Sequence, residues 1–134
     1  MGRSDCLHPR AVHEFDGNPG TIAQARARLT EFLDARRPPV PVTVVQDAVA
    51  IVSELVTNAV RHAPGRCTLL LDSDSTALTI TVADTGDAFP VARTPDLERG
   101  TGGMGWHLVH RLAETVQVRL QPSGKTVSAT VVLT

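Results

Sequence analysis

Glu54 and Asn58 stand one helical turn apart in the run Glu54-Leu55-Val56-Thr57-Asn58-Ala59, so on a helix both project from the same flank. Asparagine is a poor helix former, and one placed away from a cap asks for a reason. Its amide oxygen is a hard ligand suited to Mg²⁺, and a glutamate one turn earlier can take a proton from a hydroxyl or from water. The blander reading is two solvated polar residues on the exposed side of an amphipathic helix. Further along, Asp84-Thr85-Gly86-Asp87 follows an apolar strand. Asp84 can present a carboxylate to an exocyclic amino group while Gly86 lets the backbone approach a base closely. The same residues also make an ordinary strand-ending turn.

Arg99-Gly100-Thr101-Gly102-Gly103-Met104-Gly105 packs four glycines into six residues just before a helix. Closely spaced glycines let successive backbone amides point at an anion, and the helix N-terminus adds a favourable dipole; a flexible loop entering a helix is the alternative. The Gly-Lys-Ser/Thr ending of a P-loop is missing, and a Rossmann site would place its glycines after a first strand, not after a long loop. Last, Gly124-Lys125-Thr126 opens a strand. It is either a hairpin turn or a device that brings the Thr126 hydroxyl beside Asp84.

These residues need elements to hold them. An extended segment around Val12 to Phe15 leads to Asn18-Pro19, where Asn18 is expected to cap a helix with Pro19 at its first position. That helix runs to about Ala35, with Ile22, Ala25, Leu29, Phe32 and Leu33 at helical spacing, and Pro38-Pro39 ends it. The second helix has the clearest pattern: Ala48, Ile51, Val52, Leu55, Val56, Ala59, Val60 and Ala63 form one apolar stripe with Glu54 and Asn58 off it. Cys67 to Asp72 and Leu78 to Ala83 alternate as a half-buried hairpin around Ser73 to Thr76. About eighteen residues without a clear period follow Asp84, and loops of that length inside a compact domain are usually functional or disordered. A third helix from Met104 to about Glu114 and a second hairpin, Val116 to Leu120 with Thr126 to Leu133, complete the chain. Two hairpins and three helices predict an α+β two-layer sandwich, the helices covering one face of a mixed, mostly antiparallel sheet.

A length of 134 residues with 42% apolar content suits a single core. A loose tail is expected over residues 1–10 and one domain over 11–134. The net charge of -1 and a pI near 6.5 give no imbalance that would steer the molecule onto nucleic acid or an anionic membrane. Two cysteines, Cys6 and Cys67, match no metal-ligand spacing, and no signal-peptide pattern opens the chain. A cytoplasmic location with reduced thiols is expected. Gln46 and Asp47 interrupt the best apolar run, Val40 to Val52, short of the roughly 20 residues a membrane span needs.

Taken in order, a Glu-x-x-x-Asn helix, Asp-x-Gly, Gly-x-Gly and Gly-x-Thr resemble the superfamily of gyrase, heat-shock chaperone, histidine kinase and mismatch-repair ATPases, with its Bergerat ATP-binding fold. The segments Ser53-Glu54-Leu55-Val56-Thr57-Asn58-Ala59-Val60-Arg61-His62-Ala63 and Gly102-Gly103-Met104-Gly105-Trp106-His107-Leu108-Val109 are similar to the small anti-sigma-factor serine/threonine kinases. The resemblance covers nearly the whole chain. It implies ATP and Mg²⁺ as cofactors, Glu54 as general base, Asn58 as the Mg²⁺ ligand and Asp84 on the adenine amino group, with Gly86 shaping that pocket and Thr126 supporting it. Thr101, Gly102, Gly103, Met104 and Gly105 would form the end of a lid lining the triphosphate. Arg61 and His62 either approach the phosphates or sit on the surface.

The implied activity is transfer of the γ-phosphate to a small regulatory partner, an anti-anti-sigma factor, while another surface sequesters a sigma factor. A homodimer is implied by the resemblance alone, with no nucleic acid or membrane partner. Two departures bear on this. Ala88 stands where the first glycine box often has its second glycine, and neither a dimerisation helix with a phosphoacceptor histidine nor a sensor region is visible. A regulatory binding module that turns nothing over and the detached ATPase domain of a histidine kinase are the competing readings.

Overall fold

The computed structural model describes residues 9–62, 65–85 and 104–133, with the side chains of His62 and Met104 also left aside. Among the described residues five strands and three helices follow one another as β1 (Arg10–Phe15), α1 (Thr21–Asp34), α2 (Val42–His62), β2 (Cys67–Ser73), β3 (Ala77–Asp84), α3 (Met104–Leu112), β4 (Thr115–Gln121) and β5 (Gly124–Val132). The strands form one sheet in the order β1-β2-β3-β5-β4, and every pairing is antiparallel. The expected α+β sandwich is therefore present, with a wholly antiparallel sheet.

Period-2 alternation decides which face of the sheet is covered. Leu69 and Leu71 on β2, Leu78, Ile80 and Val82 on β3, and Val127, Ala129 and Val131 on β5 are buried together with Leu29 and Leu33 of α1, Ile51, Val52, Leu55 and Val56 of α2, and Val109 of α3. Each large side chain in this layer contributes about 1.5–3 kcal/mol relative to staying exposed. The opposite face carries Thr79, Thr81, Ser128 and Thr130, where cross-strand hydroxyls meet at 3.4 Å for Thr79 with Thr130 and 2.9 Å for Thr81 with Ser128.

The apolar stripe read from the sequence is the buried side of α2. By length and hydropathy alone Val42–Arg61 would pass for a membrane-crossing segment, but Ala48, Ile51, Val52 and Val56 are fully enclosed by this domain. The helix starts earlier than its stripe suggests, because the Pro41 carbonyl accepts from the Val44 and Val45 amides at 3.0 Å. The start of α1 also differs from expectation. Asn18 is not the cap: its side-chain oxygen accepts from the Gly20 amide at 2.8 Å, its carbonyl accepts from Thr21 at 3.0 Å, and Gly20 takes the cap position. Asn18 thus shapes a turn ahead of the helix.

Two polar clasps lock α1 in place. Arg26 donates from Nε to the Ser53 hydroxyl at 2.7 Å, and that hydroxyl donates to the Val49 carbonyl at 2.8 Å. At the far end of α1, Arg36 donates to the Ser73 hydroxyl and, at 3.0 Å, to the Asp74 carbonyl. Asp74 in turn accepts from the Thr76 and Ala77 amides at 2.8 and 2.9 Å, which closes the tight β2–β3 connection.

Candidate functional site

The site residues gather around α2, which packs against both β3 and α3. Glu54 lies off the buried stripe and is half-buried, and Asn58, one turn on, is half-buried as well. Ser53, immediately before Glu54, is the residue held by Arg26, so the clasp on α1 fixes the rotation of the helix at that point.

The Glu54 carboxylate rests on the first turn of α3. A Cβ added at Gly105 would fall on Oε1 and lie 2.7 Å from Cδ. Glycine at this position is what allows the carboxylate and the helix to touch. The first amides of a helix lack partners within it and carry partial positive charge, so Gly105 puts an acid against a natural anion-binding end. Trp106 packs against the core and meets His110 edge-on with ring centres 4.6 Å apart, so its body belongs to the fold. Glu54 also borders a groove of about 450 Å³ between α1 and α2, shared with Arg26, Val45, Val49, Ala50 and Ser53.

Asp84 is the last residue of β3, and its side chain faces the covered side of the sheet. Its cross-strand neighbours are Cys67 on β2 and Lys125 on β5. Lys125 Nζ lies 3.4 Å from Asp84 Oδ2, and both side chains are only 1% exposed. Burial and, secondarily, the Asp84 charge push the Cys67 thiol up from its ordinary value of 9.0, which keeps it neutral beside the carboxylate. Cys67, Asp84 and Lys125 therefore form a buried row across three neighbouring strands.

Gly124 makes this row possible. Its φ of +150° is one that side chains rarely adopt, and a Cβ there would come within 2.9 Å of Thr85 Cα. The glycine lets β5 start hard against the end of β3, and the next residue is then Lys125. The register corrects the expectation for Thr126. Thr126 pairs with Ala83, so alternation puts its hydroxyl on the opposite face of the sheet from Asp84. Lys125, not Thr126, occupies the place beside the carboxylate.

Arg61 is exposed near the end of α2, and His62 closes that helix. Met104 opens α3. Gly86, Thr101, Gly102 and Gly103, with Ala88, lie outside the described residues. Among the described residues no group of three or more His, Cys, Asp or Glu could hold a metal. The Asn58 side-chain amide on α2 carries a hard oxygen of the kind that Mg²⁺ takes. The arrangement offers a proton acceptor beside an anion-binding helix end, an amide ligand one turn away, and a buried carboxylate that can accept from an amino group.

Known proteins share this architecture. Residues 15–131 match the histidine kinase-like ATPase domain. A search of curated proteins finds no significant match. Among solved structures, the RsbU and RsbW domains of Rv1364c from Mycobacterium tuberculosis superpose with a TM-score of 0.69 at 19% identity, covering 92% of this chain and 31% of that one. The histidine kinase domain of the Erythrobacter litoralis EL346 blue-light activated histidine kinase gives 0.53 at 23% identity, covering 84% and 59%. The Acinetobacter baumannii histidine kinase AdeS gives 0.53 at 16%, covering 92% and 68%. At these identities the likeness establishes the fold. The chain spans about a third and three fifths of the first two of these proteins.

Proposed function

The chain belongs to the histidine kinase-like ATPase domain family, and from that premise we propose that it binds Mg-ATP at Glu54, Asn58 and Asp84 and acts as a cytoplasmic protein serine/threonine kinase of the anti-sigma-factor type. Its acceptor would be a small anti-anti-sigma partner, and a separate surface would hold a sigma factor, with the protein working as a homodimer. The observation that carries this reading is the Glu54 carboxylate seated on the bare first turn of α3 at Gly105. The similarity to a solved structure that includes an RsbW domain supports the choice of type.

Bound Mg-ATP supplies the transferable γ-phosphoryl group and a cation that neutralises its charge. The rest falls to the chain. Asn58 would hold the cation and Asp84 would accept from the base amino group. The amides at the start of α3, Gly105 included, would hold phosphate oxygens, and Gly86 with the Thr101-to-Met104 segment would complete the enclosure. Glu54 would take the proton of the acceptor hydroxyl as its oxygen bonds to the γ-phosphorus, while the bond to the bridging oxygen breaks and ADP leaves with that electron pair. The groove between α1 and α2 gives the acceptor segment a route to Glu54. Positioning and electrostatics supply most of the acceleration in phosphoryl transfer.

Glu54→Ala should slow transfer by about 100-fold or more and spare ATP binding, measured with labelled ATP, a candidate acceptor protein and calorimetry. An unchanged rate would take Glu54 out of the mechanism. The likeness to two histidine kinases makes histidine the rival acceptor. Acid-stable phosphoprotein favours serine or threonine, and acid-labile phosphate moves the reading to histidine.

A further inference from the structure

Among the described strands, β1 and β4 form the two outer edges of the sheet. An outer strand offers a row of N–H and C=O groups to any chain that can pair with it. On β1 one hydrogen bond identifies which groups these are. The Ser73 amide donates to the Pro9 carbonyl at 3.0 Å, one step beyond the pairing of Arg10 with Asp72. Backbone groups along an antiparallel strand point to alternate sides. Ala11, His13 and Phe15 therefore bond to β2, and the amides and carbonyls of Arg10, Val12 and Glu14 point out from the sheet edge, where no described strand takes them.

The side chains of the same three residues share the uncovered face of the sheet. Val12 is 60% exposed, the Arg10 side chain is 62% exposed, and Glu14 is exposed as well. Their order of cation, apolar residue and anion is its own complement when the strand is turned end for end. With two copies of β1 antiparallel and Val12 across from Val12 of the partner subunit, Arg10 meets the partner's Glu14 and Glu14 meets the partner's Arg10. Each outward amide and carbonyl of the three residues is matched in that register. Sliding one copy by two residues sets Val12 against a charge. Arg10 also lies 3.6 Å from Asp72 through Nε, and its guanidinium has four further N–H donors. The other edge lacks this complementarity, because Arg119 is the one charged residue of β4.

We propose that the β1 edge is the homodimer surface, with two copies joined in an antiparallel ladder centred on Val12. This inference rests on the homodimer of the functional reading above and gives it a surface and a register; it requires neither nucleotide nor acceptor. The two-fold axis passes between the two Val12 residues, perpendicular to the sheet, so the joined sheets carry both helical layers on the same side.

Sedimentation equilibrium of the intact chain across the micromolar range should show a dimer for the wild type. Each opposite-charge cross-strand pair is worth about 1.4- to 5-fold in an association constant, and a like pair costs a similar factor. Symmetry makes one substitution change two pairs, so Glu14→Arg and Arg10→Glu should each weaken the dimer by about 10-fold or more. Mixed together, the two variants bring opposite charges to both crossings and should form a heterodimer about 10-fold or more tighter than either variant with itself. Hydrogen exchange on the wild type needs no variant: the Arg10, Val12 and Glu14 amides should slow as protein concentration rises, while Ala11 and His13, already bonded to β2, should not. A wild type that stays monomeric overturns the homodimer together with this surface. A dimer that both variants retain, or one that leaves exchange at Val12 unchanged, overturns the surface and leaves the homodimer standing. Variants that dissociate alone and fail to combine when mixed overturn the register.

Discussion

Replacing Gly105 by alanine separates the chemistry of the site from its stability. The new methyl carbon would fall on the Glu54 carboxylate, 2.7 Å from Cδ and 3.4 Å from Cγ. The obstructing atoms are the free end of a flexible side chain, so the backbone need not move; the carboxylate rotates away. That rotation costs about 0.5–1.5 kcal/mol if it forces a strained rotamer. Against it stands a gain of up to about 1 kcal/mol from alanine over glycine in a helix, smaller this near the helix end. The two nearly cancel, and the stability of Gly105→Ala should lie within about 1 kcal/mol of the wild type. Catalysis has no such compensation. A catalytic group displaced by about 1 Å can lose about 100-fold in rate, and phosphoryl transfer should fall by that order. Urea unfolding and single-turnover transfer from labelled ATP would be measured on the same preparation. A variant that transfers at the wild-type rate would show that Glu54 has no need of its seat on α3. One that loses more than about 3 kcal/mol would show that the contact is structural.

Further outcomes follow from the buried row. Lys125→Met leaves the Asp84 charge enclosed without this cation and should cost about 3–5 kcal/mol in urea unfolding, most of it restored when Asp84→Asn is added. An additive double variant would mean that the two groups do not interact. The Cys67 thiol is raised in the folded chain, first by burial and then by Asp84. Its contribution to stability is thus fully present below the ordinary thiol value of 9.0 and is lost as pH climbs from there through the raised native value. Stability measured from pH 8 to 10 should fall more in the wild type than in Cys67→Ala, and parallel curves would refute the sign.

Much of this fold is readable from local pattern. The stripe from Ala48 to Ala59 fixes α2 because apolar residues at helical spacing have one way to share a core. The alternation in 67–84 likewise fixes a hairpin whose covered face is Leu69, Leu71, Ile80 and Val82. Glu54 and Asn58 are legible because their spacing lies within one helix. What escapes local reading is set by partners distant in sequence. The placement of Lys125 beside Asp84 depends on a register across 41 positions of chain, and a shift of one residue would have put Thr126 there instead. The contact between Glu54 and Gly105 joins two helices whose approach no local pattern encodes. Local signals also compete at helix starts: Asn18 has the chemistry of a cap, but Gly20 takes that role because the Asn18 side chain is engaged in the turn before it.

The strand order β1-β2-β3-β5-β4 sets a timetable for biosynthesis. β5 is made after every other described element, yet it is inserted between β3 and β4 and carries the cation that answers Asp84. Until β5 is available, one edge of β3 has no partner and β4 has no strand to join, so the sheet closes only when the last of the described strands takes its place between them.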